Sequence, residues 1–164
     1  MIYYLSLGAN LGNREQTIEQ ALQSIEQQIG PILRRSSFYY SEPWGFDSPN
    51  TFCNLCCAVE SDKAPLDVLD STQAIERCLG RKEKSQIINH HGSADRQKSQ
   101  ITNYTDRCID IDIIRAFDNH GEEIKCQITN NQSPMSNVPL LIIPHPLWQQ
   151  RDFVKVPLSE IMQS

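Results

Sequence analysis

Asp110 and Asp112 are carboxylates separated by one aliphatic residue, and Ile109, Ile111 and Ile113 alternate with them at the period of a strand. In that geometry both acids leave the same face, roughly 6.5–7 Å apart along the chain. Like charges so placed repel, and a hard divalent cation offsets the repulsion. Mg²⁺ takes carboxylate oxygens, keeps part of its water and draws its other ligands from phosphates. An acidic strand face open to solvent would give the same pattern, so the pair alone does not decide. Arg107 precedes Asp110 by three residues, and Arg81 follows a stretch carrying Gln73 and Glu76. Phosphoryl transfer needs this mixture of signs: a metal to bridge phosphate oxygens, arginines to stabilise developing charge, and positioning in place of a covalent nucleophile.

The elements that must position these residues are legible as an alternation of strands and helices. Residues 2–7 read as a buried strand, followed by the turn Gly8-Ala-Asn-Leu-Gly12. Asn13, with Gln16 three positions on, caps a helix whose Ile18, Ala21, Leu22, Ile25 and Ile29 recur at helical spacing until Gly30-Pro31 stops it. The glycine turn lacks the Gly-Lys-Ser/Thr ending of a phosphate loop and the Gly-x-Gly-x-x-Gly of a dinucleotide fold, so it reads as structural. Ile32–Tyr40 and Cys53–Ser61 are rich in β-formers, and Ser41–Thr51 between them is a candidate binding loop. Pro65 opens a second helix that Gly80 ends. A polar stretch from Lys82 to Asp106 precedes the acidic strand, and a loop of that length is functional or disordered. A turn at Asp118–Gly121 leads to a short strand near Ile124–Ile128. A polar loop over Thr129–Asn137 precedes a strand over Val138–Ile143. Pro144-His-Pro146 then leads through Arg151 to Phe153–Val156 and a terminal turn at Leu158–Met162. The order β, α, β, β, α, β predicts an α+β fold, a ferredoxin-like-derived sandwich with a mostly antiparallel sheet and helices packed on it.

Composition bounds the function classes. The 164 residues suit one domain, 1–164, with 39% hydrophobic and 21% charged residues, a soluble globular balance. A net charge of −5 argues against nucleic-acid binding through general basicity. The N-terminus reads as neither signal peptide nor anchor, and no apolar run reaches the ~18 residues of a membrane span. The expected address is the cytoplasm, where the six cysteines stay reduced. Cys53-x-x-Cys56-Cys57 lacks a second pair at zinc spacing, and His90-His91 lacks further ligands, so neither reads as a metal site.

Several stretches together resemble the hydroxymethyldihydropterin pyrophosphokinases. Asp106-Arg-Cys-Ile-Asp110-Ile-Asp112 looks like that family's Arg-x-x-Asp-aliphatic-Asp signature. The likeness extends over Ser6-Leu-Gly-Ala-Asn-Leu-Gly-Asn, Tyr40-Ser-Glu-Pro-Trp-Gly, Phe52-Cys-Asn54, Gln73-Ala-Ile-Glu-Arg-Cys-Leu-Gly-Arg81, Pro144-His-Pro and Arg151-Asp-Phe153. The resemblance implies attack of a pterin hydroxymethyl group on the β-phosphorus of ATP, with AMP leaving, in folate biosynthesis. It implies that Asp110 and Asp112 hold two Mg²⁺ ions and that Arg81 and Arg107 act in catalysis. Gln73, Glu76, Arg81, Arg107, Ile113, His145 and Arg151 would meet ATP. Phe52 and Phe153 would stack on the pterin, with Asn54 at the ring edge and Ser41, Glu42 and Trp44 completing its frame. Core packing for the two phenylalanines, and a structural role for His145, are the competing readings. An inactive pterin- or nucleotide-binding regulator is the alternative function, disfavoured because both aspartates are present. The expected partners are the two small substrates, with no nucleic acid, no membrane and a monomeric chain.

The departures from the family pattern cluster. Relatives carry a small residue, often proline, before the signature arginine, where this chain has Asp106. The loop from Lys82 is longer than the family's, so which of Lys82, Lys84, Arg96 and Lys98 reaches phosphate is open. Leu140 and Ile142 stand where many relatives have polar or basic residues, and Pro146 replaces an aromatic, so nucleotide contacts there are expected to be reduced or made by the inserted loop.

Overall fold

The structure, a computed structural model, describes residues 1–80, 106–129 and 139–162. Arg81, and the long loop up to Thr105 with its lysines and histidines, lie outside the described residues, as do 130–138 of the second polar loop. Four strands form the body of an antiparallel sheet in the order β2 (Ile32–Arg35), β4 (Phe52–Glu60), β1 (Ile2–Ala9), β5 (Asp110–Phe117), and β3 (Tyr39–Ser41) also pairs with β4. β6 (Cys126–Thr129) and β7 (Pro139–Ile143) make a separate antiparallel pair. This is the α+β arrangement that the element order predicts.

Alternation within the strands sorts residues onto two unlike faces. Tyr3, Leu5, Leu7 and Ala9 of β1, Cys53, Leu55, Cys57 and Val59 of β4, and Ile111 and Ile113 of β5 belong to the main core. Helices α1 (Arg14–Gln28) and α2 (Pro65–Cys78) contribute Ile18, Ala21, Leu22, Ile25, Val68 and Ile75 to it. Asn13 caps α1, its side-chain oxygen accepting from the Gln16 amide at 3.2 Å. Pro65 stands in the first turn of α2, where its missing N–H costs nothing.

The opposite face is only half covered. Cys56 and Ala58 of β4 and Ile114 of β5 pack there against Val154, Leu158 and Ile161 of α3 (Asp152–Met162). Beyond Cys56 the same face turns polar, through Ser6, Asn54, Asp112 and Asp110, and no helix among the described residues covers it.

Two elements differ from the sequence expectation. The strand expected over 32–40 is interrupted at Ser36, whose hydroxyl accepts from the Cys56 amide at 3.0 Å; Ser37 turns aside to donate to Glu160 from its amide and hydroxyl. Side-chain oxygens have replaced a stretch of ladder, as serine permits. At the C-terminus one helix runs through Phe153–Val156 and the expected turn, with Pro157 inside it. Proline removes a single amide donor, and burial of Val154, Leu158 and Ile161 on one helical stripe outweighs that loss.

Candidate active site

The register of the three central strands builds the site. Gly8 of β1 stands opposite both Asn54 of β4 and Asp110 of β5, while Ser6 stands opposite Cys56 and Asp112. Two rows therefore cross the sheet on its uncovered face: Asn54, Gly8, Asp110, and below it Cys56, Ser6, Asp112. Phe52 precedes Asn54 by one strand repeat and lies on the same face. A Cβ on Gly8 would sit 3.1 Å from Asn54 Oδ1 and 3.8 Å from the Phe52 ring, so the bare backbone lets both side chains lie across β1.

Above these rows lies a cavity of about 520 Å³, counted to its open mouth. Its sheet side is formed by Phe52, Asn54, Asp110 and Asp112 with Ser6 and Gly8. Ser41, Glu42, Trp44 and Phe46 wall it from the β3–β4 loop, Arg151 and Phe153 from the start of α3, and Arg107 from the approach to β5. Asn54 Nδ2 donates to Tyr39 O (3.1 Å) and Ser41 Oγ (3.0 Å), which fixes the amide plane and leaves its carbonyl oxygen on the Gly8 side. Phe46 meets Phe52 edge to face, centroids 6.1 Å apart. The Arg151 guanidinium, in a side chain only 5% exposed, lies 4.7 Å from the Trp44 ring centroid and 5.9 Å from that of Phe153.

The charges in the cavity act on one another at short range. Arg107 donates to Asp110 in a short ion pair. Asp112 lies deeper, open to the cavity but crowded by protein elsewhere. Burial, then the Asp110 charge, raise its carboxyl to about 7; Arg151 opposes them, Glu76 adds to them, and Arg107 opposes them more weakly. His145 is lowered to about 4 by burial and by the Arg151 charge, with Asp110 pulling the other way, so it is neutral near pH 7. Its Nδ1 accepts from the Leu147 amide at 3.2 Å, which leaves the proton on Nε2 as a donor. No group of three or more His, Cys, Asp and Glu able to hold a metal occurs among the described residues. The donor set is thus two carboxylates, and the mutual repulsion of this crowded pair is what a bound divalent cation would relieve, so Asp110 and Asp112 fit Mg²⁺.

Ten of the sequence-predicted residues come together here: Ser41, Glu42, Trp44, Phe52, Asn54, Arg107, Asp110, Asp112, Arg151 and Phe153. Four stand apart from the cavity lining. Ile113 faces the main core. Gln73 is half-buried on α2, and Glu76, 6% exposed, accepts from the Ile111 amide at 2.7 Å, joining α2 to β5 behind the aspartates. His145 is held by its amide to Ile114 O at 2.9 Å, close enough to Arg151 and Asp110 for their charges to act on it. Arg81 lies outside the described residues. Ser6, Gly8 and Phe46 were not anticipated. The alternation of Ser6 and Gly8 with Leu5 and Leu7 carried the signal for the first two, and nothing in the sequence marks Phe46 beyond its place near Trp44.

Residues 4–163 match the family described as 7,8-dihydro-6-hydroxymethylpterin-pyrophosphokinase (HPPK). The chain belongs to this family. It is 41% identical over 160 residues to the 2-amino-4-hydroxy-6-hydroxymethyldihydropteridine pyrophosphokinase of Porphyromonas gingivalis, covering 98% of this chain and 90% of that relative. The Bacillus subtilis protein of the same name is 28% identical over 163 residues, covering 99% of this chain and 78% of its own. A solved structure of HPPK-DHPS in complex with substrates superimposes with a TM-score of 0.58 at 17% identity, covering 98% of this chain and 40% of that one, which shows a shared fold. As a member of this family, the chain is an enzyme that transfers diphosphate from ATP to the hydroxymethyl group of 6-hydroxymethyl-7,8-dihydropterin, releasing AMP, in folate biosynthesis. The regulator alternative is not favoured. ATP is the co-substrate.

Proposed function

We propose that the cavity over the uncovered sheet face binds the pterin at its Phe52 end and the ATP phosphates at its Asp110 end. The observation that carries this reading is the strand register, which sets Asn54 and Asp110 on either side of Gly8 in one row. Phe52 and Phe153 stack on the flat ring, at about 1 kcal/mol each. Asn54 offers its carbonyl oxygen to a ring-edge donor because both its amide hydrogens are engaged elsewhere. Ser41, Glu42 and Trp44 close the frame.

Asp110 and Asp112 would hold two Mg²⁺ ions. When bound, Mg²⁺ supplies charge neutralisation at the phosphate oxygens and lets the triphosphate approach two carboxylates. Arg107, paired with Asp110 at the cavity wall, brings a guanidinium to the phosphates, and Arg151 adds a second one backed by aromatic faces. His145 donates from Nε2 without adding charge. Gln73, Glu76 and the backbone at Ile113 support the nucleotide side from α2 and β5, and Arg81 completes the cation set. In the transfer, the pterin hydroxyl oxygen forms a bond to the β-phosphorus as the bond from that phosphorus to the α–β bridging oxygen breaks, and the hydroxyl proton leaves to solvent. The residues act by alignment and charge, with no covalent intermediate on the chain.

Among the described residues no helix is long and apolar enough to cross a membrane. We further propose one domain, 1–164, working in the cytoplasm as a monomer, and the acidic net charge of −5 speaks against nucleic-acid binding through general basicity. The test is steady-state kinetics. Phe52→Ala and Phe153→Ala should each raise the pterin KM about fivefold for ~1 kcal/mol of lost stacking while leaving the ATP KM in place. Asp112→Ala should abolish turnover with the fold intact. A pterin KM untouched by both aromatic substitutions would move the pterin out of this cavity.

A further inference from the structure

Asp106 is the last residue before the phosphate-side arginine, and its carboxylate accepts two side-chain amides from separate parts of the chain. Asn10 Nδ2, from the turn after β1, donates to Oδ1 at 2.6 Å, and Asn50 Nδ2, from the β3–β4 loop, donates to Oδ2 at 2.9 Å. Hydrogen bonds from Ser48, first, and then from Asn10 and Asn50 hold its carboxyl below the usual carboxylate range. Asn10, 3% exposed, also clamps the neighbouring backbone: its amide donates to Arg107 O at 3.2 Å and its Oδ1 accepts from the Arg107 amide at 2.8 Å. The loop that ends at Ser48 and Asn50 is the one whose Glu42, Trp44 and Phe46 wall the cavity. One carboxylate therefore fastens the pterin-side wall, and the residue beside it carries the guanidinium at the phosphate end.

We infer that Asp106 is a positioning residue that ties the β3–β4 loop to Asn10, which itself holds the Arg107 backbone, so that the pterin wall is set relative to an independently fastened phosphate clamp. The inference rests on the reading of the cavity as the pterin site. The carboxylate presents a separate oxygen to each asparagine amide, Oδ1 to Asn10 and Oδ2 to Asn50, whereas an asparagine here would have to take both on one oxygen and turn an NH2 group to a donor, and a proline offers no side-chain acceptor.

The test uses the full chain with Mg²⁺, ATP and 6-hydroxymethyl-7,8-dihydropterin. Asp106→Ala and Asn50→Ala should each raise the pterin KM about tenfold, equivalent to ~1.4 kcal/mol, and leave the ATP KM within about twofold. The double variant should be no worse than Asp106→Ala, because both changes break the same bond. Effects that multiply overturn the proposal, as does a loss of melting temperature with the pterin KM unmoved, the mark of a purely structural role. Asp106→Pro should behave like Asp106→Ala; a wild-type pterin KM in that variant would show that backbone stiffness alone suffices and also overturns it. Should Asp106→Ala fail to fold, Asn50→Asp, which sets two carboxylates face to face, must raise the pterin KM, and an unchanged value counts against the latch. Phe52→Ala separates the two readings: if it weakens pterin binding and the latch variants do not, only the latch fails, whereas no response to Phe52→Ala removes the pterin from the cavity itself.

Discussion

Replacing Asp112 by Asn should make the ligand-free protein more stable while removing its activity. Asp112 has a carboxyl raised from 3.8 to about 7, chiefly by burial and by the Asp110 charge, net of the opposing arginines. A group whose folded-state pKa is raised in this way binds more protons folded than unfolded. Its contribution to stability is therefore most favourable below pH 4 and is lost as pH rises through 7. At about 1.4 kcal/mol for each tenfold change in proton affinity, that rise sets a ceiling of ~4 kcal/mol at pH 8. Water at the cavity mouth and side-chain relaxation reduce the realised gain to roughly 1–3 kcal/mol, or about 3–9 °C in Tm for a chain of this length. The assay is a thermal melt of wild type and Asp112→Asn in EDTA at pH 8 and pH 5. The variant should melt higher at pH 8, with the gap shrinking by about half or more at pH 5, where most of the wild-type carboxyl is already protonated in the fold. Added Mg²⁺ with an ATP analogue carrying a methylene between the α- and β-phosphates should raise the wild-type Tm and not the variant's. A variant that melts at or below wild type at pH 8, or a gap indifferent to pH, would refute the account of Asp112 as a strained, like-charged carboxylate.

Two further predictions concern the frame. Gly30→Ala places a Cβ 2.0 Å from the Glu60 carbonyl oxygen at a backbone φ of +157°, so the end of β4 must move; urea titration should show a loss of at least about 2–3 kcal/mol, and a neutral result would mean that the α1–β2 connection is not packed on β4 as described. Glu76→Ala leaves the buried Ile111 amide without the acceptor it has at 2.7 Å and should cost about 1–3 kcal/mol in the ligand-free protein, whereas Glu76→Gln, which keeps a carbonyl oxygen there, should retain most of it; equal losses in the two variants would assign the effect to charge instead.

The strand alternation made the carboxylate face legible from the sequence, because Asp110 and Asp112 fall between isoleucines that could only face inward. The Asn13 cap, the Pro65 start and the glycine stops were equally local, and each stands where the sequence placed it. Legibility ended where the deciding contact is distant in the chain. Ser36 breaks a strand because its hydroxyl serves Cys56, twenty residues on, and no propensity of the segment 32–40 announces that partner. The last helix crosses Pro157 because the sheet offers an apolar half-face for Val154, Leu158 and Ile161, a surface that exists only after β1, β4 and β5 have paired. Glu76 and Ile113 matched family positions by sequence, yet their side chains lie behind the sheet edge and in the core. Motif matching fixes the position of a residue and not the direction of its side chain.

The half-covered face explains why catalysis and folding can share three strands. An eleven-residue α3 covers only the Cys56, Ala58 and Ile114 end, which is apolar and supplies burial. Had the helix covered the whole of the next row, Ser6 and Asp112 would be sealed under it, and a carboxylate already raised to about 7 in an open cavity would meet a still larger desolvation penalty. The helix instead begins at Asp152, so that Arg151, just before it, and Phe153, in its first turn, line the rim of the cavity. The boundary row, Cys56, Ser6 and Asp112, is where the apolar half gives way to the polar half. The same register that buries a cysteine on one side of Ser6 leaves an acid on the other, so shifting β5 by one residue would turn both aspartates into the main core and the isoleucines into the cavity. Stability of the main core thus enforces the placement of the carboxylates, even though the buried Asp112 carboxylate itself opposes the fold.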